Sequence, residues 1–226
     1  KYLKSLGSKK IKFLGNLKFS ESKTQKENTL NNSLKNILNY KKVWCAASTH
    51  DSEEKICAIA HKKLKKKYKN LLTIIIPRHT QRAESIASEI QDIGLKIQIR
   101  SMKNKLSNNT EIYLADTYGE TKSFYNICKT VFLGGSLINH GGQNPLEPVR
   151  LGCKVIHGPY IQNFTEVYQL LEKKGLSSKF SNVEQLVLLI DKSFKKKINH
   201  KSKIVKLKKM GSNILNNTLE EVNCYL

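Results

Sequence analysis

The amino-acid sequence predicts an α/β protein built on a Rossmann-like, doubly wound parallel sheet, and three observations lead there. Short strand-like runs alternate along the 226 residues with helical periods of roughly ten residues or more, the rhythm of βα units. One run, 71–76, is continuously apolar but for Thr73, as suits a strand covered by helices on both faces. The residues that carry chemistry stand directly after strands. Carboxyl ends of parallel strands share one edge of the sheet, and open α/β sheets bind their ligands there.

Taken in order, residues 11–14 are expected to form a short strand, followed by Gly15-Asn16-Leu17-Lys18-Phe19 and a polar, Asn-rich stretch to Asn32. A helix is expected at 33–40 and a strand at 42–47, with Ser48, Thr49 and His50 at its carboxyl end. Asp51 is placed to cap the next helix and Glu54, three residues on, to complete a capping box. Ile56, Ile59 or Ala60, Leu64 and Tyr68 carry that helix's period, with lysines between them. After the apolar run comes Pro77-Arg78-His79, then a helix over 80–93 with Gly94 where a C′ glycine belongs. Strands are expected at 95–99 and 111–115, with a polar loop over 102–109 between them. A helix opened by Asp116-Thr117-Tyr118-Gly119-Glu120 should run to about residue 129. Beyond the strand at 131–133 come a strand at 154–156, the turn His157-Gly158-Pro159, a helix over 163–174, a helix carried by Val183, Leu186, Val187 and Ile190, and a closing helix over 214–225. There is no internal repeat.

The chain is organised around 130–148, TVFLGGSLINHGGQNPLEP. A β-branched and aromatic run empties into Gly134-Gly135, Ser136 and a second pair, Gly141-Gly142, before Asn144-Pro145-Leu146-Glu147 opens a helix. Glycines let the backbone approach a ligand, and amides at a helix start meet an anion with no side chain in the way. The stretch reads as a phosphate or sugar-nucleotide loop, or as a plain connection between strand and helix. Four segments, 48–50, 77–79, 116–120 and 134–147, are expected to converge on one crevice, and convergence favours a ligand site.

No run of about eighteen apolar residues is present, and residues 1–18 lack the apolar core of a signal peptide, so a soluble domain is expected. Five cysteines at no CxxC spacing point to reduced, mostly buried thiols, with neither a zinc site nor a disulfide framework. A net charge of +22 has three readings: nucleic acid, an anionic membrane surface, or a lysine-biased proteome. The abundance of Asn beside Lys favours the last. The lysine blocks at 62–63, 65–67 and 195–197 adjoin apolar helix positions without interleaved aromatics, so they read as solvated helix faces.

The motifs AASTH, PRH, DTYGE, FLGGSL and HGGQNPLEP, in this order and with GNLKF near the start, closely resemble the 3-deoxy-D-manno-octulosonic acid (Kdo) transferases of lipopolysaccharide synthesis. The resemblance covers residues 15 to about 174. It implies the C-terminal half of a GT-B glycosyltransferase, the half that holds the sugar nucleotide. It further implies inverting transfer of Kdo from CMP-Kdo to a lipid A precursor at the cytoplasmic face of the bacterial inner membrane, with no cofactor and no bound metal. The catalytic carboxylate, the acceptor groove and the membrane-seating surface would belong to an amino-terminal GT-B domain, on the order of 150 to 200 residues, preceding Lys1. The expected division is a lead-in at 1–32, a CMP-Kdo-binding domain at 33–200, and a closing helix at 201–226 that would cross to that other domain.

Carried over where the letters match, the resemblance assigns donor contacts to Pro77 and Arg78, to Tyr118, Gly119 and Glu120, and to Asn144, Pro145, Leu146 and Glu147. Arg78 brings an always-charged fork to an anion, and Glu147 suits ribose hydroxyls. Lys18 in GNLKF matches a lysine that stabilises the transition state as CMP departs. Ser48, Thr49, His79, Gly134, Gly135, Ser136 and His140 are expected to line the crevice. DTYGET departs from the family in carrying Thr121 where an apolar residue is common. Two other classes stay open: an inactive nucleotide-binding remnant, and a basic nucleic-acid-binding domain.

Overall fold

The computed structural model describes residues 2–20, 29–102, 105–195 and 201–224. Most of the Asn-rich stretch, part of the 102–109 loop, Lys196 and Lys197, and the end of the closing helix lie outside them. Among the described residues, β1 (Lys42–Thr49), β2 (Leu71–Pro77), β3 (Ile97–Ile99), β4 (Ile112–Leu114), β5 (Thr130–Leu133), β6 (Lys154–His157) and β7 (Ser177–Lys179) form one sheet. Its order is β3-β4-β2-β1-β5-β6-β7, and every neighbouring pair is parallel. The chain therefore builds outward from β1 in one direction and then, at β5, in the other, which puts the topological switch point between β1 and β5.

The central strands are buried on both faces, and their sequences show why. Val43 to Ala47 and Leu71 to Pro77 hold no exposed residue. Trp44, Ala46, Ile75 and Phe132 pack into a core with Ala60 and Leu64 of α3 (Glu53–Lys65), Ile86 and Ile90 of α4 (Ala83–Asp92), and Leu186 and Ile190 of α8 (Val183–Lys195). On the other face, α2 (Asn32–Asn39) and α5 (Thr121–Ile127) meet each other and β1, and α5 meets α6 (Leu146–Arg150). There the Cys153 thiol donates to the carbonyls of Tyr125 and Cys128 at 3.1 and 3.0 Å. Four of the five cysteines are buried and all five are unbridged; Cys224 is exposed.

A 3₁₀ turn, Thr80–Arg82, precedes α4, and the expected C′ glycine is in place. Gly94 has φ +82°, its amide bonds Gln91 O at 2.7 Å, and the Leu95 amide bonds Ile90 O at 3.3 Å, which together make a Schellman motif. Several expectations are corrected. Residues 11–14 form no strand, and Phe13 is largely exposed, so the run does not bury its apolar side chains as a strand in a sheet would. The capping box at Asp51 and Glu54 is absent: Ser52, in the left-handed region at φ 70°, precedes α3, and both carboxylates turn to Arg82 instead. Tyr68 lies past the end of α3, and β3 is confined to Ile97–Ile99. The strand β7 was not expected, since Ser177-Ser178-Lys179 has no β-branched residue; pairing with β6 makes it a strand.

The chain divides into two compact units, Thr24–Lys201 and a smaller one made of Lys1–Lys23 with Ser202–Leu226. The expected domain at 33–200 falls within the larger. The smaller holds α1 (Tyr2–Ser5), the GNLKF turn and α9 (Lys201–Asn223), which begins where the expected division puts the closing helix, thirteen residues before the periodic stretch at Ile214. Two glycines allow its close approaches. A Cβ on Gly15 (φ +108°) would stand 2.8 Å from Ile214 Cγ1, and one on Gly211 would stand 2.0 Å from the Phe19 carbonyl oxygen. Between β6 and β7 the chain passes through a 3₁₀ turn, Gln162–Phe164, and α7 (Thr165–Lys173).

Candidate functional site

The motif-bearing segments meet at the carboxyl edge of the sheet. At the end of β1 the register shifts between Ala47 and Thr49, and Ser48 takes φ 55°. Such a bulge re-aims the residues that follow it. The Arg78 amide bonds Thr49 O at 2.9 Å, tying the end of β2 to β1. The Gly134 amide bonds Ala47 O at 2.9 Å, and a Cβ on Gly134 would fall 2.3 Å from Ser48 O and 2.6 Å from Thr49 Cα, so β1 and β5 close together only with glycine there. Tyr118, 75% exposed, accepts a hydrogen bond from the Thr80 hydroxyl at 3.2 Å, which joins the segment after β4 to that after β2. Lys122 of α5 lies 3.6 Å from Glu147 of α6. All four segments are thus linked.

The glycine loop departs from expectation in one respect. Its amides do meet an anion, but the anion is the protein's own Glu53. One Glu53 oxygen accepts from the amides of His50 and Gly135 at 2.9 and 2.8 Å, and the other from Ser136 and Leu137 at 3.2 and 2.9 Å. Glu53 is fully buried; burial pushes its carboxyl up, against the pull of these four amides. The loop then closes on itself through the Gly142 amide and Gly135 O at 2.8 Å. Ser136, expected to line the crevice, is fully buried and engaged within the protein. Its hydroxyl donates to Leu133 O at 2.5 Å and accepts from the Gly158 amide at 2.9 Å, joining the ends of β5 and β6.

Pro77 is buried at the end of β2, while Arg78 and His79 are exposed. Gly119 has φ +82°. Glu120 is buried and held by Arg100 in a two-point pair, at 2.9 and 3.2 Å, and by the Thr117 hydroxyl. Burial alone would raise its carboxyl, but Arg100 and Thr117 more than offset that and hold it below its ordinary value. Asn144 accepts from the Leu146 amide at 3.0 Å. Pro145 and Leu146 are buried, and Glu147 is exposed. Lys18 lies in the smaller unit, in a 3₁₀ turn (Leu17–Phe19) capped by Asn16, which accepts from the Lys18 amide at 3.0 Å.

Three imidazoles gather at this edge. His50 lies 4.3 Å from His140 and 5.8 Å from His79, centroid to centroid. Burial first, then His140, His79, Arg78 and Arg82, lower the His50 imidazole to about 4. Among the described residues no group of three or more His, Cys, Asp or Glu is arranged to hold a metal ion. At the opposite edge of the sheet a hollow of about 460 Å³ is lined by Asn36, Ile37, Tyr40, Lys41, Asn70 and Asn108, and it includes no motif residue.

Glu53 and Arg100 were not among the expected site residues, and His50 was expected only as part of the 48–50 segment. One signal was available: only four of the 40 basic residues are arginines, and Arg78, Arg82 and Arg100 each follow a strand. A planar fork kept where lysine is the default marks positions that need two-point contacts.

No protein-family model matches the chain. Among curated proteins, the 3-deoxy-D-manno-octulosonic acid transferase of Haemophilus influenzae is 35% identical over 180 residues, which are 78% of this chain and 42% of that protein. Among solved structures, the C-terminal CMP-Kdo binding domain of WaaA from Acinetobacter baumannii superposes with a TM-score of 0.66 at 27% identity, over 79% of this chain and 91% of that domain. The chain belongs to the Kdo transferase family. Within it, the match is to a carboxyl-terminal domain, and the chain spans about half the length of the curated relatives, 42% of one and 54% of another. Trehalose-6-phosphate synthase (OtsA), at 12% identity and a TM-score of 0.53, shares the fold alone. The Kdo transferase domain here has the architecture of a GT-B carboxyl-terminal half. Among its described residues, no helix is long and apolar enough to cross a membrane.

Proposed function

We propose that this chain is the donor-binding half of an inverting GT-B enzyme that transfers Kdo from CMP-Kdo to a lipid A precursor. The observation that carries it is that the segments bearing Arg78, Tyr118-Gly119-Glu120 and Asn144-Pro145-Leu146-Glu147 are linked along the carboxyl edge of the sheet, in a fold matched by a solved CMP-Kdo binding domain. Arg78 is exposed and takes the phosphate of CMP. The open face of Tyr118 receives the pyrimidine, and Glu147 accepts from ribose hydroxyls. Glu120, with Arg100 fixing one side of its carboxylate, sets the loop that Gly119 turns. Lys18 stabilises the charge that builds as CMP departs.

In this reading the base that deprotonates the acceptor hydroxyl is supplied by a separate amino-terminal domain. That domain seats the enzyme on the cytoplasmic face of the inner membrane, and α9 crosses to it. No cofactor or metal takes part.

Calorimetric titration should show saturable one-to-one binding of CMP, weakened roughly ten- to a hundredfold by Arg78→Ala, the cost of losing charge-assisted hydrogen bonds. The chain alone should transfer no Kdo to lipid A precursor, and a separately supplied amino-terminal domain of a relative should restore transfer. Robust transfer by the chain alone would mean that the base lies within it. CMP binding without restoration would favour a nucleotide-binding remnant.

A further inference from the structure

We propose that the carboxyl edge of the sheet beside the His50 turn and Gly135 receives the acidic sugar of the donor, with His50 Nε2 and Thr49 Oγ1 taking its carboxylate and an adjacent hydroxyl. The proposal deepens the donor-binding reading and rests on it. Its starting point is a pair of buried polar atoms. Thr49 is fully buried and His50 is 7% exposed, yet neither Thr49 Oγ1 nor His50 Nε2 has a hydrogen-bond partner within the protein. Buried polar atoms are nearly always partnered, and two adjacent exceptions at a sheet's ligand edge call for a ligand's polar groups.

The surroundings select the chemistry. Gly135, at φ +64°, faces the His50 ring: a Cβ there would stand 3.3 Å from His50 Cδ2, from His50 Nε2 and from His140 Cδ2. Glycine keeps that space free of a side chain. His140 and His79 flank His50, and Arg78 follows β2 beside them. The nearby carboxylates are already engaged: Glu53 by four backbone amides, Glu54 and Asp51 by Arg82. An incoming anion therefore meets basic groups and no unengaged acid.

A phosphate and a sugar carboxylate would both suit that field. Exposed Arg78 suits the phosphate at the rim, while the buried imidazole, uncharged at neutral pH with its folded value near 4, suits a single carboxylate through an Nε2–H donor.

The test is calorimetric titration of wild type, His50→Ala and Thr49→Val with CMP and with freshly prepared CMP-Kdo. Circular dichroism and thermal unfolding verify that each variant is folded. Wild type should bind CMP-Kdo more tightly than CMP. Each variant should hold CMP to within about twofold while losing most of the additional affinity for CMP-Kdo, about tenfold. Absence of CMP binding by wild type would sink the donor reading and this inference with it. CMP binding with no gain for CMP-Kdo, or a gain that survives in Thr49→Val and His50→Ala, would overturn the inference alone. So would an equal loss of CMP affinity in the variants, which would place the phosphate in the crevice.

Discussion

At the scale of single residues, the site depends on Glu53 as much as on any ligand-facing group. Four amides from the His50 turn and the glycine loop point at one buried carboxylate. Glu53→Ala leaves them without acceptors, and Glu53→Gln turns one acceptor oxygen into a donor aimed at two of them. Each variant should lose about 2–4 kcal/mol in urea unfolding, given roughly 1–3 kcal/mol for a buried group left unpaired. A loss under about 0.5 kcal/mol, the range of an ordinary surface change, would show that Glu53 does not hold the loop. Histidines set the acid response. His50 and His61, each desolvated by burial, titrate near 4 when folded, against about 6.5 in an unfolded chain. Between these values the unfolded state binds more protons, so stability should fall as pH drops through that window. Burial lowers His157 in the same sense, while the raised carboxyl of Glu53 works in the opposite one. Urea midpoints at pH 7 and pH 5 test the balance. The pH 5 midpoint should be lower, and His61→Leu should flatten the difference; equal midpoints would contradict it.

At the scale of elements, the switch point is set by backbone proximity. A Cβ on Gly134 meets backbone atoms of both Ser48 and Thr49, which cannot swing aside as a flexible side chain would. Gly134→Ala should therefore destabilise by about 1–3 kcal/mol and weaken CMP-Kdo binding, whereas Gly152→Ala, where a Cβ meets nothing within 4 Å, should leave binding unchanged. Equal CMP-Kdo affinity in both variants would mean that the β1/β5 junction is not part of the binding element. The strands that form this edge were legible because Leu71–Pro77 is apolar but for Thr73 and β1 and β5 run into turn residues. The C′ role of Gly94 was legible too, since it requires only local chemistry. The partner of the glycine loop was not legible: Glu53 is 82 residues from Gly135, and a carboxylate at a helix start looks the same whether it caps its own helix or reaches another loop. Strand β7 and the missing strand at 11–14 failed for one reason. A three-residue strand exists only if a neighbour pairs with it, and pairing is not written in local propensity.

At the scale of the whole molecule, charge and fold answer different questions. The net charge of +22 predicts weak association with anionic vesicles that fades with added salt, and no preference among nucleic-acid sequences. Co-sedimentation and filter binding across a salt series check both, and tight, sequence-selective RNA or DNA binding at physiological salt would overturn that reading. The fold instead directs ligand to one edge of the sheet. A ¹⁵N-edited NMR titration of the isotope-labelled chain with CMP asks which edge. The account predicts saturable shifts in the amides of Arg78, Tyr118, Gly119, Glu120, Leu146 and Glu147, with the opposite edge still. Shifts centred on Tyr40, Lys41, Asn70 and Asn108, around the hollow at the other end of the strands, or no saturable shift at all, would contradict it.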